Sequence, residues 1–226
     1  LIYILLLFSW PESPLPAVHG IIQVRRRSPW TNGPGPIHRE WPCSPSTFNG
    51  SSSPVSPREG RRKAGKPVIH VVRLYLPDGS NADLCRRSGI VTGKPLLLPG
   101  SESSQIAVEL LPHPSVLLDH ELLLAGRAQE IGEAEWIIYK PRFGAFYRTP
   151  LKEHLRKLGV NTLVITGSNY PNCPRATIYE ASERDFRVVA VTDAISRLDE
   201  GGIGELEAIG VLCIPSKEVL EGLLPH

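Results

Sequence analysis

From Lys66 onward, the apolar positions of this chain fall into short, almost unbroken runs at residues 67–74, 136–139, 160–165, 186–191 and 211–214. Val and Ile are frequent in them, and the lack of polar alternation is the pattern of strands buried on both faces. Segments of helical period separate the later runs. Residues 149–159 open with Thr149 as a cap and Pro150 at the first helical position, repeat leucine at 151, 155 and 158, and stop at Gly159. Residues 175–184, 200–209 and 216–223 read as further helices. Strand–helix alternation with continuous apolar strands predicts a three-layer, doubly wound α/β fold with a mostly parallel sheet and helices on both faces. Ligands of such folds bind beyond the carboxyl ends of the strands.

The first 65 residues follow other rules. Residues 1–8 are apolar throughout but far too short to span a bilayer, so no membrane partner is expected. The run reads as a buried strand or as sequence out of register. Residues 9–66 are rich in Pro, Ser and Gly with no sustained period, which predicts loop or disorder. Residues 1–66 carry nine Lys or Arg against three Glu, a net of +6, whereas residues 67–226 carry sixteen basic and twenty acidic residues, a net of −4. These contrasts divide the chain into an atypical segment at 1–65 and an α/β domain at 66–226. The triplets Arg25-Arg26-Arg27 and Arg61-Arg62-Lys63 lack aromatic interleaving, so they read as solvated charge rather than a nucleic-acid site. The complete absence of Met fits a reading frame whose start lies upstream.

Four widely spaced cysteines (Cys43, Cys85, Cys173, Cys213) do not make a disulfide framework and fit a reducing, cytoplasmic compartment. No glycine-rich phosphate loop and no GxSxG elbow occurs. His70, His113, His120 and His154 form no Asp-x-His pattern, so no metal and no cofactor are expected.

The chemistry concentrates in residues 167–177, Gly-Ser-Asn-Tyr-Pro-Asn-Cys-Pro-Arg-Ala-Thr. Cys173 lies between an apolar strand and a helix that Pro174 is suited to open. The unpaired N–H groups of a helix start favour the thiolate form of a cysteine placed there, which makes Cys173 a candidate nucleophile. Arg73 and Lys140 also fall at or just after strand ends, in the plane where a doubly wound fold binds its ligand.

These residues resemble the isochorismatase-like cysteine hydrolases. That family runs from a strand through Gly-x-x-Thr-Asn-x-Cys-Val into a helix, preceded by Lys-Pro-x-x-x-x-Phe and Thr-x-Leu. The counterparts are Lys140-Pro141-Arg142-Phe143-Gly144-Ala145-Phe146, Thr149-Pro150-Leu151 and Gly167 to Cys173, with residues 186–194 similar to the family's next strand and its Asp-Ala ending. The similarity spans roughly residues 66 to 223. It implies a triad of Asp, Lys and Cys in which Cys173 attacks a carbonyl carbon to form a thioester and Lys140 stabilises the charge. Backbone N–H groups of Cys173 and Asn169 would form the oxyanion hole. Arg73, Tyr170 and Phe146 are candidates for substrate contact, Arg73 as a two-pronged donor to a carboxylate. The implied reaction is hydrolysis of a small amide, carbamoyl or ureido compound, with a homo-oligomer expected if the sheet is complete. The alternative is a non-catalytic α/β binding protein.

Two departures stand out. Tyr170-Pro171 replaces the usual Thr-Asn, which makes that peptide bond a candidate for the cis form. No Asp precedes Asp78, which lies in a Pro77-Asp78-Gly79 turn on the wrong element; Glu12 could serve only if residues 1–8 replace the first strand. The missing aspartate and the odd composition together suggest that residues 1 to about 63 are an out-of-frame translation joined to a hydrolase body. The other two frames of the coding DNA should then contain an apolar strand ending in Asp.

Overall fold

The computed structural model describes residues 3–8, 66–93 and 96–223. Its strands are β1 (Tyr3–Phe8), β2 (Val68–Val72), β3 (Gln129–Gly132), β4 (Glu135–Tyr139), β5 (Thr162–Gly167), β6 (Arg187–Ile195) and β7 (Leu212–Ile214). The α-helices are α1 (Leu84–Thr92), α2 (His120–Leu124), α3 (Leu151–Lys157), α4 (Cys173–Ser182), α5 (Glu200–Ala208) and α6 (Ser216–Leu223). One sheet joins the strands in the order β3-β4-β2-β1-β5-β6-β7. The pairs β2/β4, β5/β6 and β6/β7 are parallel, and β3 lies antiparallel on the outside of β4. Among the described residues no helix is long and apolar enough to cross a membrane.

The period-two geometry of a strand sorts the apolar runs into two cores. Ile69 and Val71 of β2, Ile138 of β4, Leu163 and Ile165 of β5, and Val188 and Ala190 of β6 share one face with Leu151 and Leu155 of α3, Ile178 and Ala181 of α4 and Leu206 of α5. The alternate residues face the other way. Val68, Val164, Val189 and Val191 pack with Val219 of α6, while Val72, Ile137 and Tyr139 pack with Leu123 of α2. This is the doubly wound, three-layer arrangement that the unbroken runs predict. Each fully buried Val, Ile or Leu contributes about 1.5–3 kcal/mol, so the two cores together supply the main stabilisation.

Residues 3–8 occupy the middle of the sheet, between β2 and β5, and run antiparallel to both. Without them, both neighbours would carry a row of unpaired N–H and C=O groups in the interior. Direction decides what β1 can bring to the site. Tyr3 pairs with Val71 and Gly167, whereas Phe8 pairs with Thr162. The beginning of β1 therefore lies at the carboxyl ends of its neighbours, and its end lies at their amino ends. Glu12, the basic triplets and the loop character expected for residues 9–65 lie outside the described residues.

Candidate active site

The first core continues one step past the sheet. Arg73 follows Val71 and Lys140 follows Ile138 at the two-residue spacing of one strand face, so both side chains emerge on the α3–α4–α5 side at the strands' carboxyl ends. The Lys140 N–H still bonds the Val72 carbonyl at 3.0 Å, which holds the two ends side by side. Both cations are buried, Arg73 at 4% exposure and Lys140 at 0%.

Cys173 reaches them from the turn after β5. The chain leaves β5 at Gly167 (φ 147°), a conformation for which glycine is suited, and reverses at Asn169 in the left-handed region (φ 67°). Residues beyond β6 lock this turn. Tyr170 N–H donates to the Ser196 carbonyl at 2.9 Å, Asn169 N–H to Ser196 Oγ at 2.7 Å, and Arg197 to Asn169 Oδ1 at 2.9 Å. Asn172 N–H bonds the Asn169 carbonyl at 3.0 Å, and Cys173 then begins α4 with Pro174 behind it. The Cys173 thiol is buried and lies close enough to Lys140 for the two charges to act on each other. Lys140 Nζ also donates to the Phe143 carbonyl.

Burial pulls the Lys140 pKa down from 10.5 to about 8, against the opposing pull of Cys173 and then Glu180; Arg73 adds to the depression. The other described cysteines are differently placed. Cys85 is exposed on α1, and burial pushes the Cys213 thiol on β7 up to about 11, followed by a smaller contribution from Glu207. Of the three, Cys173 is the one brought against a cation.

Several expectations require correction. The Tyr170–Pro171 bond is trans, because Asn169 supplies the reversal that a cis bond was expected to make. The Asn169 N–H cannot serve an oxyanion, since Ser196 Oγ accepts it. Cys173 N–H is a different matter: it is at the helix start, where no intrahelical acceptor exists, and among the described residues none bonds it. Tyr170 is placed in the core beside α5. Its ring packs on Gly202 in the core and its hydroxyl donates to the Gly202 carbonyl at 3.2 Å, so it anchors the turn to α5. Phe146 is likewise core, stacked obliquely on Phe186 at 5.7 Å. Asp193, in the Asp-Ala ending, caps α6 through Ser216 N–H at 2.8 Å and lies outside the site.

One residue escaped sequence reading. Glu180, two turns along α4 from Cys173, accepts from Phe146 N–H at 2.8 Å and fills the space beside Gly144, where a Cβ would collide with its carboxylate. It thereby fixes the 141–146 loop whose Phe143 carbonyl receives Lys140. Gly144→Ala should displace that carboxylate and break its bond to Phe146 N–H, costing about 1–2 kcal/mol in urea unfolding. Adding Glu180→Ala should cost less than the sum of the single changes, and strict additivity would contradict the contact.

The four histidines expected to be non-metal residues each have local engagements. His70 contacts Glu135 at 2.5 Å, His113 contacts Ser115, His120 accepts from Gly100 N–H, and His154 meets Trp136 edge-on. Among the described residues no group of three or more His, Cys, Asp or Glu is placed to hold a metal ion.

Comparison with known proteins places the fold in a family. The isochorismatase domain model matches residues 119–211, which include β4, Lys140 and Cys173. A crystal structure of an isochorismatase family protein from Desulfovibrio vulgaris is 32% identical, superposes with a TM-score of 0.58, and is matched over 72% of this chain and 77% of that one. An Arabidopsis thaliana protein described as a probable inactive nicotinamidase is 29% identical over 66% of this chain and 70% of its own length. A ureidoacrylate amidohydrolase of Methylorubrum extorquens is 33% identical over 76 residues, 31% of this chain and 31% of that protein. The shared fold, the matched domain and the breadth of the Desulfovibrio similarity establish that this chain belongs to the isochorismatase family.

Proposed function

We propose that the protein hydrolyses a small amide, carbamoyl or ureido compound through a thioester on Cys173. The observation that carries this reading is the buried contact between the Cys173 thiol and the Lys140 ammonium, beside the unbonded Cys173 N–H. Family membership makes hydrolysis the expected reaction class, and the ureidoacrylate amidohydrolase is a relative whose described activity is of the proposed kind.

The sequence carries no Asp before Asp78, and in this reading the Lys140–Cys173 pair handles the proton itself. Lys140 as the free amine takes the thiol proton, and the thiolate attacks the carbonyl carbon. The oxygen gains charge opposite the Cys173 N–H. Collapse of the tetrahedral species breaks the C–N bond while Lys140 returns the proton to the departing nitrogen, releasing ammonia or an amine. Lys140 then takes a proton from water, the hydroxide attacks the thioester, and the C–S bond breaks to give the acid and the thiolate. The reaction as written needs no cofactor, and a lysine poised near pH 8 can both accept and give a proton.

Because Lys140 acts as the free amine, kcat/KM should rise as pH climbs through about 8, rather than near 10.5 as for an ordinary lysine. Stability should move the same way. The folded state lowers the Lys140 pKa, so between about 8 and 10.5 the unfolded chain holds more protons at this residue, and its contribution to stability rises with pH. A pH–rate profile beside urea unfolding at pH 7.5 and 9.5 checks both signs.

A second reading, a fold-retaining binding protein without turnover, draws on the missing aspartate and on the Arabidopsis relative described as probably inactive. Ammonia release from a panel of small amides and ureido acids separates the two. The proposed function predicts turnover of at least one compound; folded, soluble protein inert to all of them overturns it.

A further inference from the structure

One helix carries both the candidate nucleophile and a residue that braces the loop beneath its amine. Cys173 opens α4, and Glu180 lies seven residues along it, close to two full turns, so the two share a face of one rigid element. Glu180 Oε2 accepts from Phe146 N–H at 2.8 Å, and the same carboxylate lies against Gly144, where a Cβ would overlap it. One residue before Gly144, the Phe143 carbonyl accepts from Lys140 Nζ. Lys140 and Cys173 are in turn near enough for their charges to act on each other. The contacts close a ring that runs from Cys173 along α4 to Glu180, through residues 143–146 to Lys140, and back to Cys173.

Such a ring holds a distance that neither member of the pair sets by itself. A lysine stem of four carbons permits many positions of its nitrogen, and an acceptor in a fixed place selects among them. Here that acceptor belongs to a loop without regular structure between β4 and α3. Thr149 Oγ1 ties the loop internally by donating to the Ala145 carbonyl at 2.6 Å, and the Phe146 ring rests on Phe186. Glu180 ties it to the helix that bears the thiol, and an ionised acceptor makes the stronger kind of bond to a backbone N–H. Burial depresses the Lys140 pKa to about 8, and Glu180 is among the charges that oppose this depression, which agrees with its nearness to the amine.

We propose that Glu180 is a positioning residue for the Cys173–Lys140 pair, holding the Lys140 nitrogen against the thiol through the 143–146 loop and so setting how readily Cys173 reacts at neutral pH. As a statement about turnover this rests on the proposed hydrolysis; as a statement about the thiol it stands on the ring of contacts.

The test is alkylation of Cys173 by iodoacetamide, followed by peptide mass mapping, which reads the thiolate without any substrate. At pH 7 the Glu180→Ala protein should react roughly 10-fold more slowly than wild type, the scale of a cation withdrawn from a thiolate. The deficit should close near pH 10, where a thiol ionises unaided. A change of access to the sulfur multiplies the rate by one factor at every pH, so the pH profile separates positioning from a loosened fold. Glu180→Gln keeps an oxygen that can accept from Phe146 N–H and should stay within about twofold of wild type. Gly144→Ala, which displaces the carboxylate from the loop side, should reproduce the alanine deficit, with circular dichroism confirming that each variant is folded. Lys140→Met should show the deficit as well, and adding Glu180→Ala to it should slow the reaction no further. Equal rates for wild type and Glu180→Ala at pH 7, a deficit of constant size at every pH, a glutamine variant as slow as the alanine one, or an undiminished Glu180→Ala effect in the Lys140→Met background overturns the proposal. These outcomes separate from those of the reaction itself. Cysteine-dependent ammonia release with normal alkylation of Glu180→Ala removes the positioning role and leaves the hydrolase; Glu180-dependent alkylation without any turnover does the reverse.

Discussion

Cys173→Ala is expected to lower kcat/KM for ammonia release by ~10⁴-fold or more, because the proposed route has no second nucleophile and removing one member of a catalytic unit removes nearly the whole of its effect. The change should leave the fold intact. Cys173 is at 3% exposure in the first turn of α4, and the position asks only for a small side chain that tolerates Pro174 behind it. Replacing the thiol by a methyl group costs about 1 kcal/mol, within the ordinary range of single substitutions. Cys173→Ser makes the sharper comparison. It keeps a polar hydroxyl beside Lys140, yet a serine hydroxyl gives up its proton to an amine of pKa about 8 far less readily than a thiol does. Its loss should therefore approach that of alanine. Cys85→Ala and Cys213→Ala serve as controls with unchanged rates, since Cys85 is exposed on α1 and Cys213 lies on β7. A Cys173→Ala protein with more than a tenth of the original rate contradicts the proposed nucleophile.

Lys140→Met is expected to separate activity from stability. The substitution removes both the proton acceptor and the positive charge opposite the thiolate, and the combined loss should be roughly 10³-fold in kcat/KM. At the same time the protein should become more stable. Holding an ammonium at 0% exposure lowers its pKa to about 8, a depression worth roughly 3 kcal/mol of lost charge solvation. Methionine matches the length of the stem and has no charge to desolvate; the bond to the Phe143 carbonyl that it forfeits is worth about 1 kcal/mol. The net gain of about 1–2 kcal/mol should raise Tm by several degrees. Urea unfolding at pH 7 reads it directly. A destabilised methionine variant contradicts the view that Lys140 is kept in the interior for chemistry rather than for packing.

The parts of the fold that the sequence announced are those where burial wrote the pattern. Val68–Val72, Glu135–Tyr139, Thr162–Gly167 and the first part of Arg187–Ile195 are almost fully buried, so nearly every position had to be apolar. Leu84–Thr92 was not legible because α1 has no buried residue and hence no apolar stripe to betray its period. Gln129–Gly132 escaped for a related reason: an edge strand with a bulge and a single branched apolar residue carries no alternation. Five-residue α2 is too short to show a period at all. The site followed the same logic. Arg73, Lys140 and Cys173 were readable because each ends or follows a legible strand, whereas the turn between β5 and α4 was not. Whether Asn169 or Cys173 keeps a free N–H depends on Ser196, which lies beyond another strand, and no local pattern reports that contact. Glu180 was hidden in the same way, since its partner Phe146 is 34 residues away. The direction of β1 is the clearest case. Its apolar run fits the centre of a sheet in either orientation, and only the pairing of Tyr3 with Gly167 tells which end faces the site.

The account rests on a covalent bond to one sulfur, and rapid-quench mass spectrometry looks for that bond. Wild-type protein mixed with a turned-over amide and quenched in acid within the first turnovers should gain the mass of the acyl group, and peptide mapping should place it on Cys173. The adduct should form as ammonia is released and decay with the appearance of the acid. Turnover with Cys173 unmodified at every quench time, together with a Cys173→Ala protein that still releases ammonia, would contradict the thioester and with it the proposed mechanism.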